Sequence, residues 1–252
     1  PYYVGDVIFS NDGRFFLIVP YFNVNYQGSL IVCNSSTFKQ VTFTDIELTN
    51  ITSACISPDN NTIVIGDDNG NIFIFNDKGE KMNQYNSHDG WVLDLDFTNN
   101  SKYIVSAGND SKINIWDSKN GNLIHSLEEH SNWVVSIRNS PDGKYILSSS
   151  WDRTTKLWDI ESGDLIYNFD KASGCDAYFS NNNKYIVTAG FKQAALWSMD
   201  DGKMICSINT NITRQRGLLG LYNPIALSQD GKYILSTEES LNCHDRTDIN
   251  IY

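Results

Sequence analysis

Short apolar runs alternate with polar turns along the whole chain, and nowhere do apolar residues recur at helical spacing. The runs are rich in β-branched and aromatic residues, as in Val4–Ser10 before a turn and Arg14–Val19 after it, and they read as strands. The turns are S-N-D-G at Ser10, S-P-D-N at Ser57, T-N-N-S at Thr98, S-P-D-G at Ser140, S-N-N-N at Ser180 and S-Q-D-G at Ser228. Asp-Gly, Asn-Asn and Asp-Asn tolerate the left-handed backbone of a tight hairpin. Four of the strands that follow nearly repeat one another: KYIVS from Lys102, KYILS from Lys144, KYIVT from Lys184 and KYILS from Lys232. Third strands are expected at Leu30–Cys33, Ile72–Phe75, Ile113–Trp116, Thr155–Trp158, Ala194–Trp197 and Ile249–Tyr252. A second polar turn, such as Lys119-Asn120-Gly121 or Glu161-Ser162-Gly163, leads to fourth strands such as Asn122–Leu127 and Asp164–Phe169. Many of the runs are apolar at consecutive positions, so both sheet faces should be covered by neighbours.

The turns begin 47, 41, 42, 40 and 48 residues apart. A period of about 40–45 residues with four short strands per unit is the signature of a β-propeller blade. The sequence thus predicts an all-β chain with six visible blades of four antiparallel strands, read as one domain over residues 1–252. The last unit stops after its third strand. That leaves an open edge, implies that the sequence is part of a larger chain, and leaves room for a seventh blade.

At these positions the sequence resembles the WD-repeat (WD40) β-propeller family. Trp116-Asp117 and Trp158-Asp159 are the dipeptides behind the family's name, and His130 through Asp159 runs close to its consensus. The resemblance implies a structural tetrad of a His before the first strand, a Ser or Thr in the second, an Asp in the following turn and the Trp of the third. His88, Ser106, Asp110 and Trp116 match it, as do His130, Ser148, Asp152 and Trp158, with the same internal spacing. The other units depart from it. Cys33 stands at the Trp position of the first, Asn69 and Phe75 replace Asp and Trp in the second, the fifth keeps Thr188 and Trp197, and the sixth keeps Ser236 and ends at Tyr252.

Charge and composition narrow the function. Apolar residues make up 40% of the chain and charged residues only 19%, which suits a packed core rather than a disordered chain. The formal net charge of −11 argues against general nucleic-acid binding, which depends on neutralising phosphates, and against anionic lipid surfaces. The longest apolar run, near Phe15–Phe22, is far short of the roughly 18 residues that suggest a membrane span. The five cysteines are scattered, without C-x-x-C spacing, and read as small hydrophobes in a reducing, cytoplasmic compartment. Asn-x-Ser/Thr sequons at Asn34, Asn50, Asn60, Asn99, Asn109 and Asn211 are read as chance matches in an Asn-rich chain.

No residue pattern argues for catalysis, metal or cofactor. Tetrads of His, Ser and Asp occurring twice read as structure, because catalysis needs one exposed set. His125, Glu128, Glu129 and His130 read as a solvated turn. Cys243-His244-Asp245 is a trio only in text, since neighbours on an extended chain point apart. No phosphate-binding glycine motif is present.

The resemblance implies a protein-interaction scaffold that binds proteins or peptides at one end of the blades, within a multiprotein complex. The candidate contacts there are Trp91, Trp133, Trp151 and Arg153, together with Tyr21, Phe22 and Tyr26 in the Pro20–Gly28 insertion. Arg214 and Arg216, in the Asn211–Gly220 connection, form a local basic spot, and Thr237–Asp248 is a second insertion. Trp91 and Trp133 can equally be half-buried strand-entry residues. Two narrower readings remain. Asp110 through Lys119 resembles the adaptor-docking box of substrate receptors for cullin-type ubiquitin ligases, with Lys119 in place of the usual Arg. The W-V-x-S pattern at Trp133 resembles sensor propellers of signalling NTPases. A propeller enzyme is the reading from a different class.

Overall fold

The computed structural model describes residues 4–20, 31–37, 39–41, 50–170, 174–190, 193–209, 225–227 and 234–236. All its regular elements are strands. They form five four-stranded antiparallel sheets and one strand pair. The first sheet comprises β1 (Val4–Phe9), β2 (Phe15–Pro20), β3 (Ile31–Asn34) and β4 (Gln40–Val41). The second comprises β5 (Ile51–Ile56), β6 (Thr62–Asp67), β7 (Asn71–Asn76) and β8 (Lys81–Asn86). The third comprises β9 (Val92–Phe97), β10 (Tyr103–Gly108), β11 (Ile113–Asp117) and β12 (Leu123–Leu127). The fourth comprises β13 (Val134–Asn139), β14 (Tyr145–Ser150), β15 (Thr155–Asp159) and β16 (Leu165–Phe169). The fifth comprises β17 (Gly174–Phe179), β18 (Tyr185–Gly190), β19 (Gln193–Ser198) and β20 (Met204–Asn209). β21 (Ile225–Leu227) pairs with β22 (Ile234–Ser236) where the sixth unit was expected. Each sheet is a meander of sequential neighbours, the order of a propeller blade. The expected strand Ile249–Tyr252 lies outside the described residues.

The hairpin between first and second strands is built the same way five times. A buried hydroxyl (Ser10, Ser57, Thr98, Ser140 or Ser180) opens the turn. It donates to the Asp or Asn two residues on, at 2.5–2.8 Å. It accepts the N–H five residues on, at 2.9–3.0 Å. The residue three on bonds back to its carbonyl and takes the left-handed conformation: Gly13, Asn60, Ser101, Gly143 and Asn183, with φ of 55–71°. The S-x-[DN]-x pattern is therefore a turn chemistry in which each polar atom has a job. A β-bulge then offsets the first and second strands in all five sheets, at Val4/Asp6, Ile51/Ser53, Ala107/Gly108, Val134/Ser136 and Gly174/Asp176. Bulges at one repeated position strengthen twist where each sheet must fit its neighbour.

The residues fall into two compact units, one running to Glu129 and the other starting at His130. In the first, Ala54 of β5 packs with Leu17, Val19 and Val32 of the first sheet. Leu95 and Phe97 of β9 pack with Cys55, Val64, Ile72 and Ile74 of the second. In the second unit, Ala177 and Phe179 of β17 pack with Leu147, Leu157 and Phe169 of the fourth sheet. Within each unit the first strand of a sheet thus seats on the sheet before it. Outer strands add a tyrosine contact. Tyr85 of β8 stacks on Trp116 of the third sheet, with centroids 5.5 Å apart, and Tyr167 of β16 donates to the Asp200 carbonyl at 3.1 Å. A Cβ at Gly121 would fall 1.7 Å from the Tyr85 hydroxyl, and its φ of 70° is left-handed, so any other residue there displaces Tyr85 and strains the turn.

Asn183 is the hairpin copy with a polar defect. Its φ is 55° and its buried Oδ1 has no partner. Asn183→Gly should therefore stabilise the chain by about 0.5–1 kcal/mol, because the strained backbone and the orphaned oxygen both disappear. Urea unfolding midpoints of the two proteins test this.

Candidate partner-binding site

The tetrad side chains of the third and fourth sheets come together as two hydrogen-bonded relays. In the fourth sheet Trp158 Nε1 donates to Ser148 Oγ at 2.8 Å, Ser148 Oγ lies 2.7 Å from His130 Nε2, and His130 Nδ1 lies 2.7 Å from Asp152 Oδ2. In the third, Trp116 Nε1 donates to Ser106 Oγ at 3.3 Å, Ser106 Oγ lies 2.9 Å from His88 Nε2, and His88 Nδ1 lies 2.9 Å from Asp110 Oδ1. A carboxylate can only accept, so Nδ1 carries the proton in each ring and Nε2 accepts from the serine. Every member is then satisfied with a neutral imidazole. Burial drives the His130 pKa below its ordinary 6.5, ahead of the opposing pull of Asp152. Burial also pushes Asp110 and Asp152 upward. Hydrogen bonds and charge from His88 and from Thr154 and His130, helped by backbone N–H groups, outweigh it, and both carboxyls sit below 3.8.

Each Asp also shapes the surface. Asp152 accepts the N–H of Ser131 at 3.1 Å and, on its other oxygen, the N–H and hydroxyl of Thr154 at 2.8 and 2.7 Å. Asp110 accepts the N–H of Asp89 and of Lys112, both at 3.1 Å. The relay thereby clamps the loop entering the first strand to the turn between the second and third. Ser106 and Ser148 have no exposure, so no substrate reaches the hydroxyl that a Ser-His-Asp nucleophile would need.

On that clamped turn, Trp151 stacks on Trp133, with ring centroids 4.6 Å apart and planes 16° apart. The Trp151 N–H donates to the Trp133 carbonyl at 3.0 Å, and Ser150 Oγ donates to the Asn132 carbonyl at 3.0 Å. Trp133 is half-buried, whereas Trp151 is 40% exposed. Arg153 is exposed and holds φ at 73°. Trp91 is half-buried in the first compact unit, and the residue matching Trp151 there is Asn109, whose N–H donates to the Trp91 carbonyl at 3.1 Å. The stack thus belongs to Trp133 and Trp151. Tyr21, Phe22, Tyr26, Arg214, Arg216, the Thr237–Asp248 insertion and Cys243-His244-Asp245 lie outside the described residues.

Other candidates are accounted for by local contacts. Glu128 pairs with Lys112 at 2.7 Å. No group of three His, Cys, Asp or Glu among the described residues could hold a metal ion. Within the adaptor-box match, Ile113, Ile115 and Trp116 are buried and Asp110 is held by its relay.

Two polar features escaped the sequence reading. In the second sheet Asp67 accepts the N–H of Asn69 at 2.9 Å and of Asn71 at 2.7 Å, shaping the turn from inside β6. Buried Asp176 of β17 accepts from Ser136 Oγ at 2.7 Å, the Tyr178 hydroxyl at 2.7 Å and Arg138 at 3.3 Å, joining the first strands of two sheets. Burial and the Asp176 carboxylate push the Tyr178 hydroxyl well above its ordinary range. The only sequence cue would be polar residues at alternate positions of otherwise apolar first strands.

A blade whose entry loop is pinned by a buried His-Ser-Asp-Trp relay is of the WD40 β-propeller type. Residues 41–76, 79–117 and 121–159 match the family described as "WD domain, G-beta repeat", so the chain carries three WD40 repeats. It is similar to two uncharacterized WD repeat-containing proteins of Acanthamoeba polyphaga mimivirus. One is 36% identical over 84 residues, 32% of this chain and 16% of that protein. The other is 36% identical over 81 residues, 31% of this chain and 61% of that protein. The THO complex subunit 6 homolog of Danio rerio is 28% identical over 85 residues, 33% of this chain and 26% of that protein. In each case the match spans less than two thirds of the relative's length.

The neutral state of His130 has a measurable consequence. The unfolded chain takes up this proton near pH 6.5 and the folded chain only at lower pH, so stability present above 6.5 is lost as pH falls below it. Asp110 and Asp152 add a further loss below about pH 4, where the unfolded carboxyls protonate first. The stability gap between wild type and His130→Gln, measured by urea unfolding, should narrow from pH 7.5 to 5.5. A gap constant over that range would show that His130 is not held neutral by burial.

Proposed function

We propose that this chain is a non-catalytic interaction scaffold that grips partner proteins or peptides with the Trp133–Trp151 turn of its fourth sheet. WD repeats generally serve as protein-interaction scaffolds. The observation that carries the placement is the stacked tryptophan pair with one ring 40% exposed, held on a turn whose backbone is fixed from beneath. Tryptophan and arginine are the residue types most often found to dominate interface energetics, and preorganisation removes part of the entropic cost of binding. The Danio rerio relative is named as the homolog of a complex subunit, which supports reading this chain as one component of a multiprotein assembly. The burial of Ile113, Ile115 and Trp116 leaves the ligase-adaptor reading with little exposed surface of its own. No observation singles out the NTPase-sensor or enzyme readings.

Trp151→Ala should weaken partner binding by about 2 kcal/mol, roughly 30-fold, while changing folding stability by no more than about 1 kcal/mol. Affinity purification of both proteins with quantitative mass spectrometry, beside their thermal unfolding, tests this. Recovery of the same proteins by wild type and variant would refute the assignment.

A further inference from the structure

Resting on that reading of the site, we infer that the partner segment presents an Asp or Glu carboxylate next to an apolar side chain. The turn from Ser150 to Thr154 carries one acid and one base, and the structure treats them differently. Asp152 is turned inward with its side chain only 6% exposed, and four donors fill its two oxygens: His130 Nδ1, the Ser131 N–H, the Thr154 N–H and the Thr154 hydroxyl. Its charge is consumed by the relay. Arg153 is exposed, and among the described residues neither its guanidinium nor the Trp151 indole N–H has a hydrogen-bond or ion-pair partner.

Among its side chains, what the turn offers outward is therefore donors, and a cation, beside an aromatic face. One face of Trp151 is covered by Trp133 and the indole is still 40% exposed. An acceptor able to take a planar, bidentate guanidinium bond is a carboxylate, and an apolar side chain is what the aromatic face accommodates. The rest of the chain sharpens the choice. A net charge of −11 repels strongly acidic polypeptides, so the fitting ligand carries one or two carboxylates in an apolar setting rather than an acidic run.

The test is selection of random decapeptides, displayed on phage, on the whole folded chain, followed by affinity measurement with synthetic copies of the selected peptides. Enriched sequences should place Asp or Glu within two residues of Leu, Phe or Trp. Replacing that residue by Asn or Gln in the peptide should weaken binding at least tenfold. Arg153→Gly should do the same, with unchanged or improved thermal stability, since glycine accepts a φ of 73° without strain. Arg153→Lys, which keeps the charge, should retain more of the affinity than Arg153→Gly. Basic or uncharged winners, no enrichment, or binding indifferent to Arg153→Gly would overturn the carboxylate inference. If binding is then still lost with Trp151→Ala, the docking site itself stands. Indifference to both variants would sink the site as well.

Discussion

A four-stranded sheet with apolar side chains on both faces cannot persist in water until something covers each face. Most of the chain's organisation follows from that constraint. Ala177 and Phe179 find Leu147, Leu157 and Phe169 beneath them, and Leu95 and Phe97 find Val64, Ile72 and Ile74. The repeat is the sequence's answer to a packing requirement: within each unit a module supplies the cover its successor lacks. Tyrosines reaching from outer strands add a contact to the next sheet: Tyr85 to Trp116 and Tyr167 to Asp200.

Polar chemistry is confined to places where it closes on itself. The hairpin hydroxyls each give and receive at least one bond within six residues, so they are satisfied where they are buried. The tetrads do the same over a longer span, from indole to carboxylate. In the fourth sheet burial keeps the His130 imidazole from adding a charge, and the Asp152 carboxylate is tolerated because four donors meet it.

The fold was legible because its rules are local and repeated. Ser140-Pro141-Asp142-Gly143 specifies its hairpin through atoms of the turn itself, and strand runs such as Thr155–Trp158 fall within one residue of the observed β15. The relay residues were legible for another reason: identical spacing in two copies. What was hidden depends on which side chains meet across sheets. Asp176 carries only the cue of alternating polar residues, which does not point to its partner Ser136, 40 residues away. The unequal surroundings of Trp91 and Trp133 were equally hidden. They differ by what stands opposite, Asn109 or Trp151, and that pairing appears only once the turn folds back on the strand entry.

The inward turn of Asp152 divides the labour along three consecutive letters of the sequence. The middle one answers to the core, and any change there is felt by His130 and, through Ser148, by Trp158. The side chains of its neighbours take no part in the relay: Trp151 lies against Trp133 and Arg153 is exposed. Selection can therefore rewrite positions 151 and 153 while the frame between them stays put. A lineage of such chains can trade one binding specificity for another without having to learn to fold again.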